Sequence, residues 1–560
     1  MCGLAGVWAP SWDPLRRTDL TEAMLARLRH RGTDDRHTLS TASSTLGATR
    51  LSIVDLAAGR QPMASDDGQV IVAQNGEIYN HAELRAQLTA AGQVFRSTCD
   101  TEVLLRGYLA WGWPTLLKRL RGMFAVAVVD EGQRCVHLAR DPFGIKPLYL
   151  APLDDGRAWA FASELRALLA PGLVPLRLRP EAVSQLLLRG WVPGRAPLVE
   201  SVERMPPGHE VTLGQGTPRP FWQPPTAPRP QTGTIDDAVD ALDAVLSDSV
   251  HWHLGGDVPV GLLLSGGVDS SLIAALAARQ GCKRSFGLEV GGAGGAAAAT
   301  AAALDLQHVA VVLTEDDCLA ALDEVLAAVD EPLGDPRQIP SWLLARAAGR
   351  EMRVVLAGHG ADVLFGGYAL YAAPSMSARW IAPPELVARL NPGGGGRVDE
   401  DLLPVAHREA QFKDLSSWQP DSLLLQFDRT TMIHGVEGRT PFVDIEVAAY
   451  ALGLPHNLLY RDSQGKWLLR RLAERLLPAG VAARPRTPWR LPLDDWLRGP
   501  LYQRCRAAFA DEASDSQCGL DGTLLLRLLE AHRDGTAGLA PVLWTAYGLL
   551  DWQHRQAARD

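Results

Sequence analysis

The sequence lacks any run of about eighteen apolar residues, the length that a membrane-spanning helix needs, and its start lacks a basic segment followed by an apolar one. These absences predict a protein with no membrane as a partner and no secretory signal. Paired CxxC spacing is also missing, because the cysteines stand singly at positions 2, 99, 135, 282, 318, 505 and 518. We therefore expect neither a disulfide framework nor a zinc site, and a cytoplasmic location.

An excess of positive charge is absent as well, since 55 Lys and Arg residues are outnumbered by 64 Asp and Glu residues, for a net charge of −9. This balance argues against nucleic acid as a partner, because such binding needs clustered positive charge. Hydrophobic residues make up 47% of the chain and charged residues 21%, as in ordinary globular proteins. A chain of 560 residues is too long for one core, so we expect roughly two to four domains.

The first 215 residues are rich in short segments typical of strands. Runs of β-branched and apolar residues predict strands over 46–54, 69–73, 124–130 and 136–139. Amphipathic spacing predicts helices over 82–91 and 102–111, the second capped by Asp100 or Thr101. We therefore expect a mixed α/β domain over residues 2–215.

A change in composition separates this region from the rest of the chain. Five prolines lie between residues 220 and 234, and we place a linker over 216–235. From 236 to 560 helical spacing dominates, and strands predicted over 259–264, 285–290 and 354–356 are followed by glycine turns, which favours a parallel sheet between helices. We expect the Gly/Ala tract 291–303 and the glycine run 393–396 to be exposed and mobile.

Cys2 is the first candidate for chemistry, because removal of Met1 would leave a thiol and a free amine on one residue. A thiol is a strong nucleophile as the thiolate, and the neighbouring amine, with an ordinary pKa of about 8, can accept the thiol proton. Met-Cys alone is a weak signal, since most chains that start this way carry no such site. A second reaction centre downstream makes an N-terminal nucleophile the better interpretation.

That second centre is the string SGGVDSS from Ser265 to Ser271, which follows an apolar strand and leads into a helix starting near Val268. Its glycines let backbone N–H groups approach an anion, and the start of the helix favours negative charge at the same point. Asp269 is placed to hold Mg²⁺ on phosphates. The lysine of the common phosphate loop is missing, which disfavours ordinary transfer of a γ-phosphate.

Further motifs follow in a fixed order along nearly the whole chain. In the first half they are Met1-Cys2-Gly3, His30-Arg31-Gly32, Arg50-Leu51-Ser52-Ile53, Asn75-Gly76-Glu77-Ile78-Tyr79-Asn80, Asp100-Thr101-Glu102 and Arg140-Asp141-Pro142-Phe143-Gly144. In the second half they are Ser265 to Ser271, Gly360-Ala361-Asp362, Phe365-Gly366-Gly367-Tyr368, Pro441-Phe442-Val443-Asp444 and Gly465-Lys466. In these motifs the chain resembles the glutamine-dependent asparagine synthetases, which join a class II glutamine amidotransferase domain to an ATP-pyrophosphatase synthetase domain.

The resemblance implies the fold class. The N-terminal domain would be a four-layer αββα glutaminase with an N-terminal nucleophile. The C-terminal domain would be a doubly wound parallel-sheet ATP-pyrophosphatase with added helices. The substrates would be glutamine, ATP and a carboxylate, with Mg²⁺ as the metal, and a homodimer is one option for the assembly.

The resemblance also implies roles for the residues of a glutaminase site. Cys2 would attack the carboxamide of glutamine to release ammonia, while Asn75 and Gly76 would donate hydrogen bonds to the oxyanion. Arg50 would hold the α-carboxylate of glutamine, and Glu77 and Asp100 its α-ammonium. The remaining glutamine-binding positions would be Leu51, Ser52, Ile53 and Val54. Taken singly, Arg50 has an alternative as a solvated surface charge and Asp100 as a helix cap.

In the second half the resemblance implies an ATP site in which a carboxylate becomes an acyl-adenylate, with release of pyrophosphate. The ATP-binding positions would be Leu264, Ser265, Gly266, Gly267, Asp269, Ser270, Leu288, Ala357 and Gly358. Asp269 and Asp362 would hold Mg²⁺, and Lys466 would neutralise charge on the phosphates. Taken alone, Lys466 has an alternative as a surface lysine on an amphipathic helix.

Three departures from the family pattern fall in the synthetase half. The family string SGEGADELFGGY reads Ala357-Gly358-His359-Gly360-Ala361-Asp362-Val363-Leu364-Phe365-Gly366-Gly367-Tyr368 here. His359 replaces an acidic residue and either acts as a base or fills space. The tract 291–303 replaces an acidic stretch, and Pro488-Trp489-Arg490 stands where glycine-containing sequence is common.

Three functions fit these observations. The first is a glutamine-hydrolysing asparagine synthetase that acts on aspartate. The second is a specialised relative that forms an amide or lactam on another carboxylate, as β-lactam synthetases and lasso-peptide cyclases do, although Cys2 favours ammonia as the nucleophile. The third is a binding or regulatory homologue that keeps only the glutaminase.

Overall fold

The computed structural model describes residues 2–170, 172–225, 233–290, 295–332, 334–368, 371, 381–394, 407–461, 464–484, 491–511, 518–536 and 538–558. Within these ranges, the residues before 221 form two antiparallel sheets, and those from 235 onward form helices around one parallel sheet. None of the helices in the described ranges is long and apolar enough to cross a membrane.

The strands of the first half are β1 (Cys2–Trp8), β2 (Asp35–Ser40), β3 (Ser44–Arg50), β4 (Met63–Ala64), β5 (Val70–Ile78), β6 (Gly122–Asp130), β7 (Cys135–Arg140), β8 (Tyr149–Leu153), β9 (Ala158–Ala162), β10 (Glu203–Arg204), β11 (His209–Thr212) and β12 (Arg219–Pro220). One sheet has the order β10-β8-β9-β1-β3-β2, and the other β12-β11-β7-β6-β5-β4. The helices are α1 (Pro14–Arg27), α2 (His81–Ala90), α3 (Asp100–Trp111), α4 (Trp113–Leu117), α5 (Leu165–Leu168) and α6 (Pro180–Arg189).

These two sheets pack face to face with helices outside them. Leu4 and Leu46 of the first sheet share a buried cluster with Ile71 and Ala125 of the second. The outer face of the first sheet packs on α1, α5 and α6, and that of the second on α2, α3 and α4. The central strands are buried on both faces, which explains their apolar runs. This four-layer αββα arrangement confirms the predicted fold class of the N-terminal half.

The strands of the second half are β13 (Val260–Leu263), β14 (Arg284–Val290), β15 (Gln307–Leu313), β16 (Val354–Leu356) and β17 (Glu437–Arg439). They form a sheet of order β15-β14-β13-β16-β17 in which every pair is parallel. The helices are α7 (Ile235–His253), α8 (Val268–Arg279), α9 (Gly295–Ala303), α10 (Glu315–Ala320), α11 (Leu322–Ala328), α12 (Gln338–Ala348), α13 (Ala361–Leu364), α14 (Pro384–Leu390), α15 (His407–Ser416), α16 (Leu425–Met432), α17 (Ile445–Gly453), α18 (His456–Leu459), α19 (Trp467–Leu476), α20 (Leu493–Arg498), α21 (Tyr502–Phe509), α22 (Gly522–Arg533) and α23 (Ala540–Ala557).

Helices cover both faces of this parallel sheet. Leu262 and Leu356 pack with α7 and α8 on one face, whereas Phe286 and Val355 pack with α12 on the other. The helix α7 begins at a capping box, in which the hydroxyl of Thr234 accepts a hydrogen bond from the backbone N–H of Asp237. The doubly wound arrangement confirms the predicted fold class of the C-terminal half.

Several predicted element boundaries change in the structure. The strand predicted over 46–54 ends at Arg50, and Leu51, Ile53 and Val54 line a pocket beyond it. The strand predicted over 69–73 continues to Ile78, so Asn75 and Gly76 lie inside β5. The predicted cap of the second helix is wrong. Asp100 is the first residue of α3, and its carboxylate accepts a hydrogen bond from the backbone N–H of Ile78 at 3.0 Å.

The Gly/Ala tract also differs from its prediction. Residues 295–303 form the regular helix α9, which has one buried face at Ala297 and Ala301 and is otherwise largely exposed, while residues 291–294 lie outside the described ranges. Alanine is the strongest helix former, and the absence of bulky side chains lets the helix lie close to the SGG turn. In the run 393–396, Gly394 is buried, while residues 395 and 396 lie outside the described ranges, as do residues 488–490 and 226–232 of the predicted linker.

Buried ion pairs join the two halves of the chain. The guanidinium of Arg31 contacts both carboxylate oxygens of Asp428, at 2.8 and 3.1 Å. The side chain of Arg204 contacts Glu331 at 2.9 Å, and that of Arg121 contacts Asp444 at 2.9 Å. Removal of one partner from a buried pair leaves an uncompensated charge, which is strongly destabilising. The relative placement of the two halves is therefore held by charge as well as by apolar packing.

Candidate functional site

A pocket of about 260 Å³ opens beside the start of β1, where Cys2 is only 3% exposed. The predicted residues that line it are Cys2, Arg50, Leu51, Ile53, Val54, Gly76, Glu77 and Asp100. Of the predicted glutamine-binding set, Ser52 and Asn75 are not among the lining residues, and the backbone N–H of Ser52 donates to Asp34 at 2.8 Å. One pocket therefore contains the thiol together with a guanidinium and two carboxyl groups.

The sheet register explains why Arg50 lies beside Cys2. The two residues are direct partners in the antiparallel pair β1 and β3, so their side chains emerge on the same face. The Arg50 guanidinium donates to the backbone carbonyls of Asp55 at 2.7 Å and Val54 at 3.1 Å. Arg50 thus lines the pocket and also holds the segment that forms its wall.

Asn75 and Gly76 lie in β5, next to this pocket. The Asn75 side chain is fully buried, and neither its amide nitrogen nor its oxygen has a hydrogen-bond partner among the described residues. Burial of an unpaired amide is unfavourable, which makes it a good donor for an oxygen that arrives with a ligand. Gly76 has φ +145°, and a Cβ there would lie 2.0 Å from the carbonyl oxygen of Met123, so only glycine fits.

Two acidic residues, Glu77 and Asp100, line the pocket. One oxygen of Asp100 accepts hydrogen bonds from Ile78 N–H and, at 2.5 Å, from the side-chain amide of Gln74. Burial raises the pKa of Glu77 well above its ordinary value, and the nearby charge of Asp100 raises it further. The pocket therefore holds two carboxyl groups, and burial keeps that of Glu77 from ionising readily.

Gln61 contacts the thiol directly and was missed in the sequence. Its side-chain N–H group donates to the Cys2 sulfur at 3.5 Å, and its oxygen accepts from the backbone N–H of Gln74 at 2.7 Å. Burial raises the pKa of the Cys2 thiol, while the Arg50 charge opposes that rise. Gln61 therefore connects β5 to the thiol, but a single glutamine in a turn gives no periodicity or spacing that would have indicated it.

The second candidate site lies at the carboxyl end of the parallel sheet. The turn after β13 brings the Ser265 and Ser270 hydroxyls within 2.9 Å of each other, and the Ser265 hydroxyl accepts from Gly267 N–H at 3.4 Å. Gly266 has φ +76°, and a Cβ there would lie 2.6 Å from the backbone of Ala296. A glycine is required at that turn, and the start of α8 points toward the same space, as expected for a phosphate site.

Asp269, Asp362 and Lys466 form one cluster at this edge. The ammonium Nζ of Lys466 lies 2.6 Å from the Asp269 carboxylate and 2.7 Å from that of Asp362. Lys466 is 7% exposed and precedes α19, so it is not the surface lysine that the sequence alone also allowed. Burial acts to lower its pKa, but the two carboxylates outweigh burial and raise the pKa.

The remaining predicted nucleotide contacts lie near this cluster. Leu264 follows β13, and its backbone N–H donates to the carbonyl oxygen of Phe286 in β14. The same strand contains Leu288. Ala357 follows β16, and its N–H donates to the carbonyl of Arg439. Gly358 packs on the first turn of α8, where a Cβ would come within 2.9 Å of Ser270 N. Carboxyl ends of adjacent parallel strands form the usual ligand crevice of such sheets.

His359 lies in the loop between β16 and α13, against Phe427 with 4.4 Å between ring centroids. Burial lowers the pKa of His359 to about 4, so its ring is neutral at pH 7. Its Nδ1 atom is buried and has no hydrogen-bond partner in the described part of the chain. A neutral imidazole can accept a proton but cannot replace the negative charge of a carboxylate.

The donor set fits a magnesium ion held together with phosphates. Within the described residues there is no group of three or more His, Cys, Asp or Glu side chains that could hold a metal. Asp269 and Asp362, however, both lie within 2.7 Å of the same ammonium. Mg²⁺ on a nucleotide is usually held by one or two carboxylates and completes its shell with phosphate oxygens and water.

Comparisons with known proteins identify both halves. The family model of the glutamine amidotransferase domain matches residues 1–222, and that of asparagine synthase matches residues 241–554. Asparagine synthetase [glutamine-hydrolyzing] 1 of Bacillus subtilis is 30% identical over 99% of this chain and 96% of its own length. The "Putative asparagine synthetase [glutamine-hydrolyzing]" of Mycobacterium tuberculosis is 34% identical over 99% of this chain and 97% of its own length.

Among solved structures, the glutamine phosphoribosylpyrophosphate amidotransferase of Bacillus subtilis aligns with 17% identity and a TM-score of 0.31. That alignment covers 64% of this chain and 81% of the other. The family matches, in contrast, span both halves of the chain. The chain therefore belongs to the asparagine synthase family and is an ATP-dependent amidoligase of the glutamine-hydrolysing asparagine synthetase type.

Proposed function

We propose that the protein hydrolyses glutamine at Cys2 and uses the ammonia to convert aspartate into asparagine, with ATP cleaved to AMP and pyrophosphate. The observation that carries this proposal is the presence of two complete sites in one chain. The pocket at Cys2 holds Arg50, Glu77 and Asp100, and the edge of the parallel sheet holds an Asp–Asp–Lys cluster beside the SGG turn.

In the first site, the Cys2 thiol gives its proton to the α-amine and attacks the side-chain carbonyl of glutamine. The Asn75 amide and the Gly76 N–H stabilise the oxyanion, which is supported by the unpaired amide of Asn75. The C–N bond then breaks, ammonia leaves with the proton, and water hydrolyses the γ-glutamyl thioester to glutamate. Arg50 takes the α-carboxylate and the two acidic residues take the α-ammonium.

In the second site, Asp269 and Asp362 would hold Mg²⁺, which when bound reduces the negative charge of the phosphates. A carboxylate oxygen of the acceptor attacks the α-phosphorus of ATP and forms an acyl-adenylate, while pyrophosphate leaves. Lys466 neutralises charge on the departing phosphates. Its ammonium lies at the same edge of the sheet, in contact with the carboxylates of Asp269 and Asp362. Ammonia attacks the acyl carbon, AMP leaves, and His359 takes the released proton.

Aspartate is proposed as the acceptor because a guanidinium lies close to the activation site. The charge of Arg337 acts on both His359 and Asp362. Its Nε atom donates to Asp335 at 2.9 Å, so the guanidinium would bind the carboxylate that is not activated in exchange for, or together with, that partner. A second candidate function is amide formation on a different carboxylate. The replacement of a carboxylate by His359, which packs on the Phe427 ring, favours that alternative.

A substrate panel tests the proposal. We expect purified protein with ATP, Mg²⁺ and glutamine to release pyrophosphate in equal amounts with asparagine when aspartate is present. Pyrophosphate release with another carboxylate, and none with aspartate, would establish the second candidate. Release of inorganic phosphate in place of pyrophosphate would contradict the activation chemistry of both.

The role of His359 is tested by paired substitutions. We expect His359→Gln to lower ammonia-dependent amide formation by about 10²-fold, because glutamine cannot accept the proton, and His359→Glu to restore most of the rate. Because the pKa of His359 is about 4, the wild-type rate should show no His359 titration between pH 6 and 8. Equal rates for both variants would show that the ring only fills space. The exposed residue His251 supplies the control variant His251→Gln.

A further inference from the structure

Arg439 belongs to the C-terminal half, yet it reaches the glutamine pocket of the N-terminal half. The residue lies in β17 and is fully buried. Its Nη2 atom lies 3.5 Å from the Glu77 carboxylate oxygen Oε2. Other described ion pairs between the halves, such as those of Arg31, Arg121 and Arg204, involve no residue that lines this pocket.

The guanidinium of Arg439 is held in place by its own half. Its Nη1 atom donates to the carbonyl oxygens of His253 at 2.7 Å and Gly255 at 2.6 Å. Its Nε atom donates to Glu437 at 2.5 Å. Burial disfavours the ionised form of Glu437, but Arg439, the amino terminus and Lys146 together outweigh burial and lower the pKa of Glu437 to about 2. These contacts fix the direction of Nη2, which is the nitrogen that faces Glu77.

Glu77 depends on outside charge more than the other groups of the pocket. Its second oxygen, Oε1, is buried and has no hydrogen-bond partner among the described residues. Burial, Asp100 and Glu437 all favour the protonated form, whereas Arg439 and the amino terminus favour the carboxylate. Asp100 is better supported within its own half, since it accepts hydrogen bonds from Ile78 and Gln74. Glu77 therefore has Arg439 as its main source of positive charge before substrate binds.

We propose that Arg439 is a positioning residue of the glutamine site, whose guanidinium orients the Glu77 carboxylate so that Oε1 receives the α-ammonium of glutamine. This inference rests on the proposed function, because it takes Glu77 as a ligand of that ammonium. The glutaminase site is then incomplete without the synthetase half, even though the nucleophile and the oxyanion donors lie in the first 76 residues.

The consequence is a pH-dependent affinity for glutamine. Glu77 must be ionised to bind an ammonium, and loss of the Arg439 charge raises its pKa further. The carboxylate then forms only at higher pH, so the acid limb of kcat/KM moves to higher pH. The Cys2 thiol acts in the chemical step and therefore affects kcat as well, which separates its titration from that of Glu77.

The test measures glutamate release by the full chain across about pH 5.5 to 9. For Arg439→Gln we expect the KM for glutamine to rise at least about tenfold at pH 7, with kcat changed by less than about threefold, and the acid limb of kcat/KM to move upward. Arg439→Lys retains the charge and should recover most of the affinity. Arg121→Gln breaks another ion pair between the halves, with Asp444, and should leave KM unchanged.

Glutaramate, which is glutamine without its α-amino group, tests whether the effect of Arg439 acts through the contact between Glu77 and the α-ammonium. It has no ammonium to recognise, so Arg439→Gln and wild type should hydrolyse it with similar kcat/KM. The role of Arg439 is refuted if the variant keeps the wild-type KM and acid limb for glutamine. It is also refuted if kcat/KM falls by the same factor with glutaramate as with glutamine. If wild-type protein releases no glutamate, the proposed function itself fails. Ammonia-dependent pyrophosphate release by each variant reports that the second half is folded.

Discussion

Cys2→Ala is expected to abolish glutamine-dependent amide formation while ammonia-dependent formation continues at close to the wild-type rate. Loss of the nucleophile leaves only the binding groups and the oxyanion donors, so glutamate release should fall by at least about 10⁴-fold. The Cys2 sulfur accepts a hydrogen bond from Gln61 of the N-terminal half, whereas the second site is built from Asp269, Asp362 and Lys466 of the other half. The measurement compares glutamate release with pyrophosphate release in the presence of ammonium chloride.

A second buried thiol provides the control for that experiment. Cys135 lies in β7, outside the lining of the pocket, and its sulfur contacts His137 at 3.4 Å. Burial raises the pKa of Cys135 to about 11, so it is not a nucleophile at neutral pH. Cys135→Ala should therefore retain glutaminase activity within a few fold. Glutamate release that survives in Cys2→Ala but not in Cys135→Ala would contradict the assignment of the nucleophile.

Asp362→Asn is expected to lower pyrophosphate release by about 10²-fold or more and to leave glutaminase activity intact. The neutral amide is a poorer ligand for a hard cation, and it no longer balances the Lys466 ammonium, from which the carboxylate lies 2.7 Å away. Asp269→Asn should have an effect of similar size, because its carboxylate contacts the same ammonium. Pyrophosphate release is measured against Mg²⁺ concentration in both variants.

Two measurements separate this effect from a loss of structure. Each variant keeps one carboxylate beside Lys466, so the unfolding temperature should change by only a few degrees. Asp305→Asn removes an exposed carboxylate of the same half, which contacts only Lys283 among the described residues, and should leave the rate unchanged. A fall in glutaminase activity together with pyrophosphate release would mean that Asp362→Asn disturbs the whole chain.

The N-terminal fold and most of its pocket could be predicted from the sequence. The motifs at Cys2, Arg50 and Asn75 come from three separate strands, and the structure confirms the αββα arrangement that places those strands together. Gln61 was not predictable, because its role depends on where a turn brings one amide. The sequence predicts Asp100 or Thr101 as a helix cap and Asp100 also as a glutamine ligand. The Asp100 carboxylate accepts a hydrogen bond from Ile78 N–H of β5, and no local pattern encodes such a contact.

The C-terminal half was harder to predict in detail. The phosphate turn and its helix follow from local sequence, and the alternation of strands and helices correctly predicted a parallel sheet. Lys466 contacts Asp269, about two hundred positions away, and Asp362, about one hundred positions away, so only the resemblance could suggest the cluster. Similarly, the 3.5 Å contact of Arg439 with Glu77 joins the two halves and has no sequence signal.

The alanine-rich helix α9 lies directly against the SGG turn, which requires small side chains where the two meet. A Cβ on Gly266 would lie only 2.6 to 2.7 Å from the backbone of Ala296 and Ala297. The Arg484 guanidinium donates hydrogen bonds to the backbone carbonyls of both Gly266 and Ala296. A leucine or phenylalanine on this helix surface would displace the SGG turn from its position. On the face that meets the SGG turn, substitutions in this helix are therefore tolerated only while side-chain volume stays small, whereas its exposed positions have no such limit.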